Sequence, residues 1–195
     1  MNESVHCTSF GNYDDVCKYS VSVPDLDAKP DFREGISACN RDANVTPKLM
    51  VCHDMKGNYL NDRWNNGSNF ENAFQLLHWS YIDVFCYFSH EFITIPPKAW
   101  VEACHRNDTP ILGTIITEWE DGYNTCNDIF SSTESTIAFA EKVVALTKLH
   151  CLDGWLVNIE NCLSVPAGHV ENMIVFLKFL TTAVHQVNPS STVIW

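Results

Sequence analysis

No apolar run in the sequence approaches the ~20 residues needed to cross a bilayer. The opening MNESVHCTSF has neither the basic start nor the apolar centre of a secretory signal. A soluble, non-exported protein is expected, with no membrane partner. Cationic residues are scarce, 12 Lys and Arg against 24 Asp and Glu, for a formal net charge of -12. That surface repels phosphate backbones and excludes nucleic acid as a partner. Metal-ligand spacing is missing too. Cys52-His53, Cys104-His105 and His150-Cys151 are adjacent pairs, without the Cys-x-x-Cys or His-x-x-x-His steps that converge on one ion. No metal is expected.

Paired-cysteine spacing is likewise absent. The nine cysteines are an odd number, and Cys52, Cys86, Cys151 and Cys162 sit in or beside apolar runs, where a reduced Cys packs as a small hydrophobe. Free thiols in a reducing compartment follow. Asn2, Asn44, Asn66 and Asn107 each begin an Asn-x-Ser/Thr sequon, but these short motifs weigh less than the missing signal.

What the 195 residues do contain is 46% hydrophobic and 12% aromatic, enough for one domain with a sizeable core. Residues 1–46 show no sustained period and read as an irregular arm. From residue 47 the pattern changes. KLMVCHDM, YIDVFCYF, PILGTIIT, LDGWLVNIE and STVIW are apolar runs of strand length, as expected of parallel strands covered on both faces. Helical patterns lie between them. IPPKAWVEACHR opens on prolines suited to a first turn, and Ser131 with Glu134 makes a capping box before STIAFAEKVVALTKLH. Met173, Phe176, Leu177, Leu180, Val184 and Val187 draw one apolar stripe.

Strands alternating with helices leave a doubly wound sheet or a (β/α)8 barrel. No Gly-rich phosphate fingerprint follows the first strand, which ends in His53-Asp54, and that favours the barrel. A whole barrel takes ~250 residues. The expectation is therefore an α/β fold, an incomplete TIM barrel of about four βα units plus a fifth strand. Residues 47–195 would form its N-terminal half, with the C-terminal half as the missing partner.

In LDGWLVNIEN, residues 152–161, period-2 alternation sends Asn158 and Glu160 to one face and Trp155, Val157 and Ile159 to the other. At the C-terminal end of a barrel strand, that face lines the catalytic mouth. His53 and Asp54, then Tyr87, Ser89 and His90, then Thr117, Glu118 and Trp119 fall at equivalent strand ends. Carboxylates, amides and aromatic rings on one rim suit a sugar. The expected substrate contacts are His53, Tyr87, Glu118 and Trp119. Core packing for the rings and a solvated position for Glu118 are the competing readings. Asp153, ahead of the strand, is read as orienting backbone.

An acid beside an amide can cleave the glycoside of an N-acetyl sugar, whose own acetamide oxygen supplies the nucleophile. Glu160 would donate and later accept the proton, given burial that keeps it neutral, and Asn158 would orient the acetamide. The pattern alone also permits a capped strand end with a solvated glutamate.

Longer motifs narrow the choice. LMVCHDMKGNYLNDRW, HWSYIDVFCYFSHEFITIPPKAW, ILGTIITEW and DGWLVNIEN, in that order along residues 48–195, resemble the catalytic domain of glycoside hydrolase family 85. The resemblance implies a cytosolic endo-β-N-acetylglucosaminidase barrel that needs no cofactor. It would cleave the β-1,4 bond between the two GlcNAc residues of the N-glycan core with net retention. It assigns the acid/base role to Glu160 and the acetamide-orienting role to Asn158. The family's later aromatic site residues, including a tyrosine at the acetamide, fall beyond Trp195. Two alternatives stand beside this: a non-catalytic fragment or glycan-binding isoform, and a chitinase-like enzyme, although that type carries an acid where Asn158 stands.

Overall fold

The computed structural model describes residues 9–19, 47–54 and 75–195. The order of elements is β1 (Ser9–Phe10), α1 (Tyr13–Lys18), β2 (Met50–Asp54), a 3-10 turn (Trp79–Tyr81), β3 (Val84–Phe88) and β4 (Ile93–Thr94). Then follow α2 (Lys98–Arg106), β5 (Ile111–Thr117), α3 (Trp119–Ile129), α4 (Thr133–Leu149), β6 (Gly154–Ile159), α5 (His169–Val187) and β7 (Thr192–Ile194). Each of the five apolar runs carries one strand of a parallel series, β2-β3-β5-β6-β7, paired in chain order. No helix among the described residues is long and apolar enough to cross a membrane.

Parallel neighbours in register point the same way, so the pairings sort side chains into two faces. Phe85 stacks on Trp100 of α2 with centroids 4.9 Å apart, and Trp155 donates its indole N–H to Thr147 of α4 over 2.7 Å. Those residues mark the face that the helices cover. Its core gathers Ile115 and Val157 from the sheet with Val143, Phe176 and Leu180 from α4 and α5. On the opposite face Cys52 is registered with Cys86, Cys86 with Leu112, Leu112 with Gly154, and Ile116 with Asn158.

Burial on both faces holds throughout β5 and for most of β3. It does not hold for β2, expected to be a buried strand, where Val51 and His53 are half-buried and Met50, Cys52 and Asp54 exposed. β2 pairs with β3 alone among the described strands, and one uncovered side gives it the alternation of an edge.

Residues 9–19 depart from the irregular arm expected over 1–46. β1 pairs antiparallel with β4, and Phe10 and Val16 are buried in the helix-side core. Asn12 caps α1 by accepting from the backbone N–H of Asp15. β4, also unforeseen, runs antiparallel to β5, with Ile93 opposite Ile115 and Thr94 opposite Thr114. β3 is registered with β5 only at Phe85–Ile111 and Cys86–Leu112. β4 therefore wedges between them above that point.

The capping box of α4 is built by Ser132 and Ser135, one residue later than the expected Ser131–Glu134 pair. The short Ser135 hydroxyl returns to the Ser132 backbone N–H at 3.2 Å while its own N–H reaches Ser132 Oγ at 3.1 Å. In α5 the expected stripe buries Met173, Phe176, Leu180 and Val184. Asp153 has the backbone role read from sequence: its Oδ2 accepts from the Ile111 N–H at 3.0 Å and pairs with His105 Nε2 at 2.8 Å. Next to it Gly154, at φ +148°, lies so close to β7 that a Cβ would fall 1.8 Å from the Thr192 carbonyl oxygen.

Candidate active site

Asn158 and Glu160 leave the end of β6 on one face, and Asn158 Nδ2 donates to Glu160 Oε1 over 2.8 Å. The strand geometry enforces this. Ile116 opposes Asn158 and Thr117 opposes Ile159, while the Glu160 N–H continues the ladder by donating to the Thr117 carbonyl at 2.8 Å. Trp155 and Val157 are fully buried on the other face, so the strand cannot turn without pulling them from the core. Asn158 is half-buried. Glu160 is exposed, and the burial expected of it is not supplied by the described residues.

Glu118 follows the last registered residue of β5 as Glu160 follows that of β6, which places the two acids at equivalent positions on adjacent strand ends. Its Oε2 lies 3.2 Å from Nδ1 of His90, whose Nε2 lies 3.8 Å from Asp54 Oδ1. The rim thus reads Asp54, His90, Glu118, then Glu160 with Asn158, contributed by four successive strand ends. Trp119 begins α3 at φ +54° and is 85% exposed. Its ring is thus open to solvent beside Glu118.

His53 and Tyr87 do not join this rim. Both were expected to contact substrate, yet the His53 ring lies 5.0 Å from Trp100 and 5.6 Å from Tyr87, on the helix-covered face. Tyr87 is completely buried. Strand parity is the reason: His53 and Tyr87 are a registered pair with Phe85 on their side, so the rim-facing positions are their neighbours, Asp54 and Phe88. Ser89 and Thr117 are buried as well. Ser89 Oγ is hydrogen-bonded to Thr94 Oγ1, and Thr117 Oγ1 lies 3.5 Å from Cys126 Sγ of α3. Of the strand-end residues, the structure gathers Asp54, His90, Glu118, Asn158 and Glu160. Sequence reading placed Asp54 and His90 at the rim but chose His53 and Tyr87 as contacts. Counting in twos from Glu160 across registered strands finds them, but needs the register.

Among the described residues the seven cysteines form no disulfide with one another. Cys86, buried behind the rim on the same face as Asn158, is held well above the ordinary thiol value by its hydrogen bond with Cys52 and by burial. It is a packing group, not a nucleophile.

Known proteins resemble this chain in sequence and in fold. The family profile of glycosyl hydrolase family 85 matches residues 58–195. The cytosolic endo-beta-N-acetylglucosaminidase of Gallus gallus is 45% identical over 150 residues, which is 76% of this chain and 20% of that protein. The human protein of the same name is 40% identical over 187 residues, 91% of this chain and 25% of its own length. That second match reaches into residues 1–46, which were read as outside the likeness. The chain spans about a fifth to a quarter of the curated relatives it matches. Among solved structures, the glycoside hydrolase domain of Endo-D from Streptococcus pneumoniae R6 superposes with a TM-score of 0.71 at 17% identity, over 97% of this chain and 31% of that one. The fold is thus an α/β fold with a parallel sheet like that of Endo-D. A profile covering most of the residues, with relatives at 40–46% identity, agrees with the motifs around Asn158 and Glu160: the chain belongs to glycosyl hydrolase family 85.

Proposed function

We propose that the protein to which these residues belong is an endo-acting glycosidase of the cytosol. It cleaves the β-1,4 bond between the two GlcNAc residues of an N-glycan core, on free or peptide-linked glycans, with no cofactor. The carrying observation is the 2.8 Å hydrogen bond from Asn158 to Glu160 on the polar face of β6. Relatives named as cytosolic endo-beta-N-acetylglucosaminidases support the substrate and the compartment. The consecutive parallel order of the five strands and the likeness to Endo-D support a (β/α)8 barrel of which they are successive members.

In this reading the substrate's acetamide oxygen attacks the anomeric carbon as the glycosidic C–O bond breaks. Glu160, in its acid form, gives its proton to the departing oxygen. Positive charge develops on the acetamide, whose N–H the Asn158 Oδ1 accepts. Asn158 has a second use, since its Nδ2 group still spans to Glu160 and holds the two roles at fixed separation. Glu160, now a carboxylate, next takes a proton from water, whose oxygen opens the oxazoline-like ring at the same face. The configuration is retained after two inversions. Glu118 and Trp119 contact flanking sugar, as hydroxyl acceptor and ring platform.

Glu160→Gln in the longer protein tests this. We expect hydrolysis of an N-glycan core to fall by ~10³-fold or more while glycan binding persists. Undiminished turnover removes Glu160 from the role. The exposure of Glu160 favours a second reading for the 195 residues taken alone, a glycan-binding fragment without turnover. Assaying this chain and a longer form side by side on the same glycan separates the two, because strong cleavage by this chain alone defeats the fragment reading.

A further inference from the structure

We propose that His90 is a positioning residue that aims the Glu118 carboxylate into the sugar-binding mouth, a role resting on the glycosidase reading above. Three strand ends meet at its imidazole. Nδ1 lies 3.2 Å from Glu118 Oε2, and Nε2 lies 3.8 Å from Asp54 Oδ1. Phe88 packs against the ring with centroids 5.4 Å apart and planes at 90°, which fixes how the ring stands. Both nitrogens are thereby directed at carboxylates. Asp54 orients the ring from one side, and the ring orients Glu118 on the other.

Glu118 needs such a guide. It occupies the N-cap of α3, the place where a side chain ordinarily turns back to its own helix, yet makes no capping hydrogen bond. Its Oε2 is taken by His90, and its Oε1 makes no hydrogen bond among the described residues. One oxygen is anchored and the other is left to accept from a sugar hydroxyl. The position matters because Glu118 stands level with Glu160 on the next strand. A hydroxyl bound there belongs to a sugar touching the scissile linkage.

A contact whose histidine side chain is 44% exposed adds little to fold stability, so orientation is the property the arrangement supplies. Among the described residues no group of three His, Cys, Asp or Glu is placed to hold a metal ion. The imidazole also separates two of the rim's three acids, Asp54 and Glu118. Without it, Glu118 would move freely beside Glu160.

The test is a double-mutant cycle in the longer protein, assayed on an N-glycan core. Glu118→Gln and His90→Ala should each raise KM by ~10-fold with kcat nearly unchanged, the scale of one charge-assisted hydrogen bond. The double variant should be no worse than Glu118→Gln, and His90→Gln, which keeps a donor, should recover part of the loss. Multiplying effects, or an unchanged KM in His90→Ala, overturn the proposal. Failure of the glycosidase reading shows separately as absence of turnover by the unsubstituted longer protein, in which case the same cycle is read from glycan affinity by calorimetry. Should His90→Ala fail to fold, side-chain ¹⁵N spectra of Glu118→Gln carry the test. A displaced His90 Nδ1 resonance supports the contact, and an unmoved one overturns it.

Discussion

The indole N–H of Trp155 donates to Thr147 Oγ1 over 2.7 Å, joining the strand that bears Asn158 and Glu160 to the helix behind it. Both partners are buried. Thr147→Val keeps the shape and removes the acceptor, leaving a buried donor unpaired at a cost of ~1–3 kcal/mol. Urea unfolding should show a lower midpoint with an unchanged slope.

Asn158 and His53 should separate function from stability. Asn158→Ala is expected to lower kcat by ~10²-fold or more, with a melting temperature near the parent's. His53→Ala removes a ring packed between Tyr87 and Trp100, and the loss of that packing costs ~1–3 kcal/mol. Its KM for an N-glycan core should stay within about twofold. Raised KM without lost stability would return His53 to the rim.

Gly154 permits the tightest backbone approach described. A methyl group at φ +148°, aimed 1.8 Å from the Thr192 carbonyl oxygen, cannot be absorbed by a side-chain rotation. Gly154→Ala should part β6 from β7 and cost more than ~3 kcal/mol. Circular dichroism melts against the parent chain give the answer.

His150 makes stability depend on pH. Burial holds its imidazole below the ordinary value of 6.5, and its Nε2 is buried without a hydrogen-bond partner among the described residues. The folded chain binds that proton less readily than the unfolded chain, so the contribution is present above pH 6.5 and is lost as pH falls towards the folded value. Unfolding midpoints should decline between pH 7.5 and about 5, and His150→Leu should flatten part of that decline. An equal slope in the variant would assign it to other groups.

How much of this was legible follows from where polarity alternates. β6 could be read in full because Asn158 and Glu160 interrupt an apolar strand at steps of two. β3 could be located but not oriented. Phe85, Cys86, Tyr87 and Phe88 are all buried, so no alternation tells Tyr87 from Phe88, and parity is settled only by pairing with neighbours. The strands β1 and β4, two residues each, are too short for any period. α3 was overlooked because its buried residues are Gly122, Cys126 and Ile129. They stand four and three apart, a helical stripe in which Ile129 alone is a large apolar side chain, too little for a hydropathy reading to mark. Glu160 looked enclosed because a strand end in a barrel implies walls, and walls formed by other segments leave no mark in its own neighbourhood.

β4 carries one more consequence. Since β3 and β5 part after Cys86 and Leu112 and β4 takes the place of β3 beside β5, the span from Ser89 to Phe92 carries the chain from one strand to the other, and His90 sits on that connection. A change in the length of that connection therefore shifts His90 while the register of β5 with β6, and with it Asn158 and Glu160, stays in place.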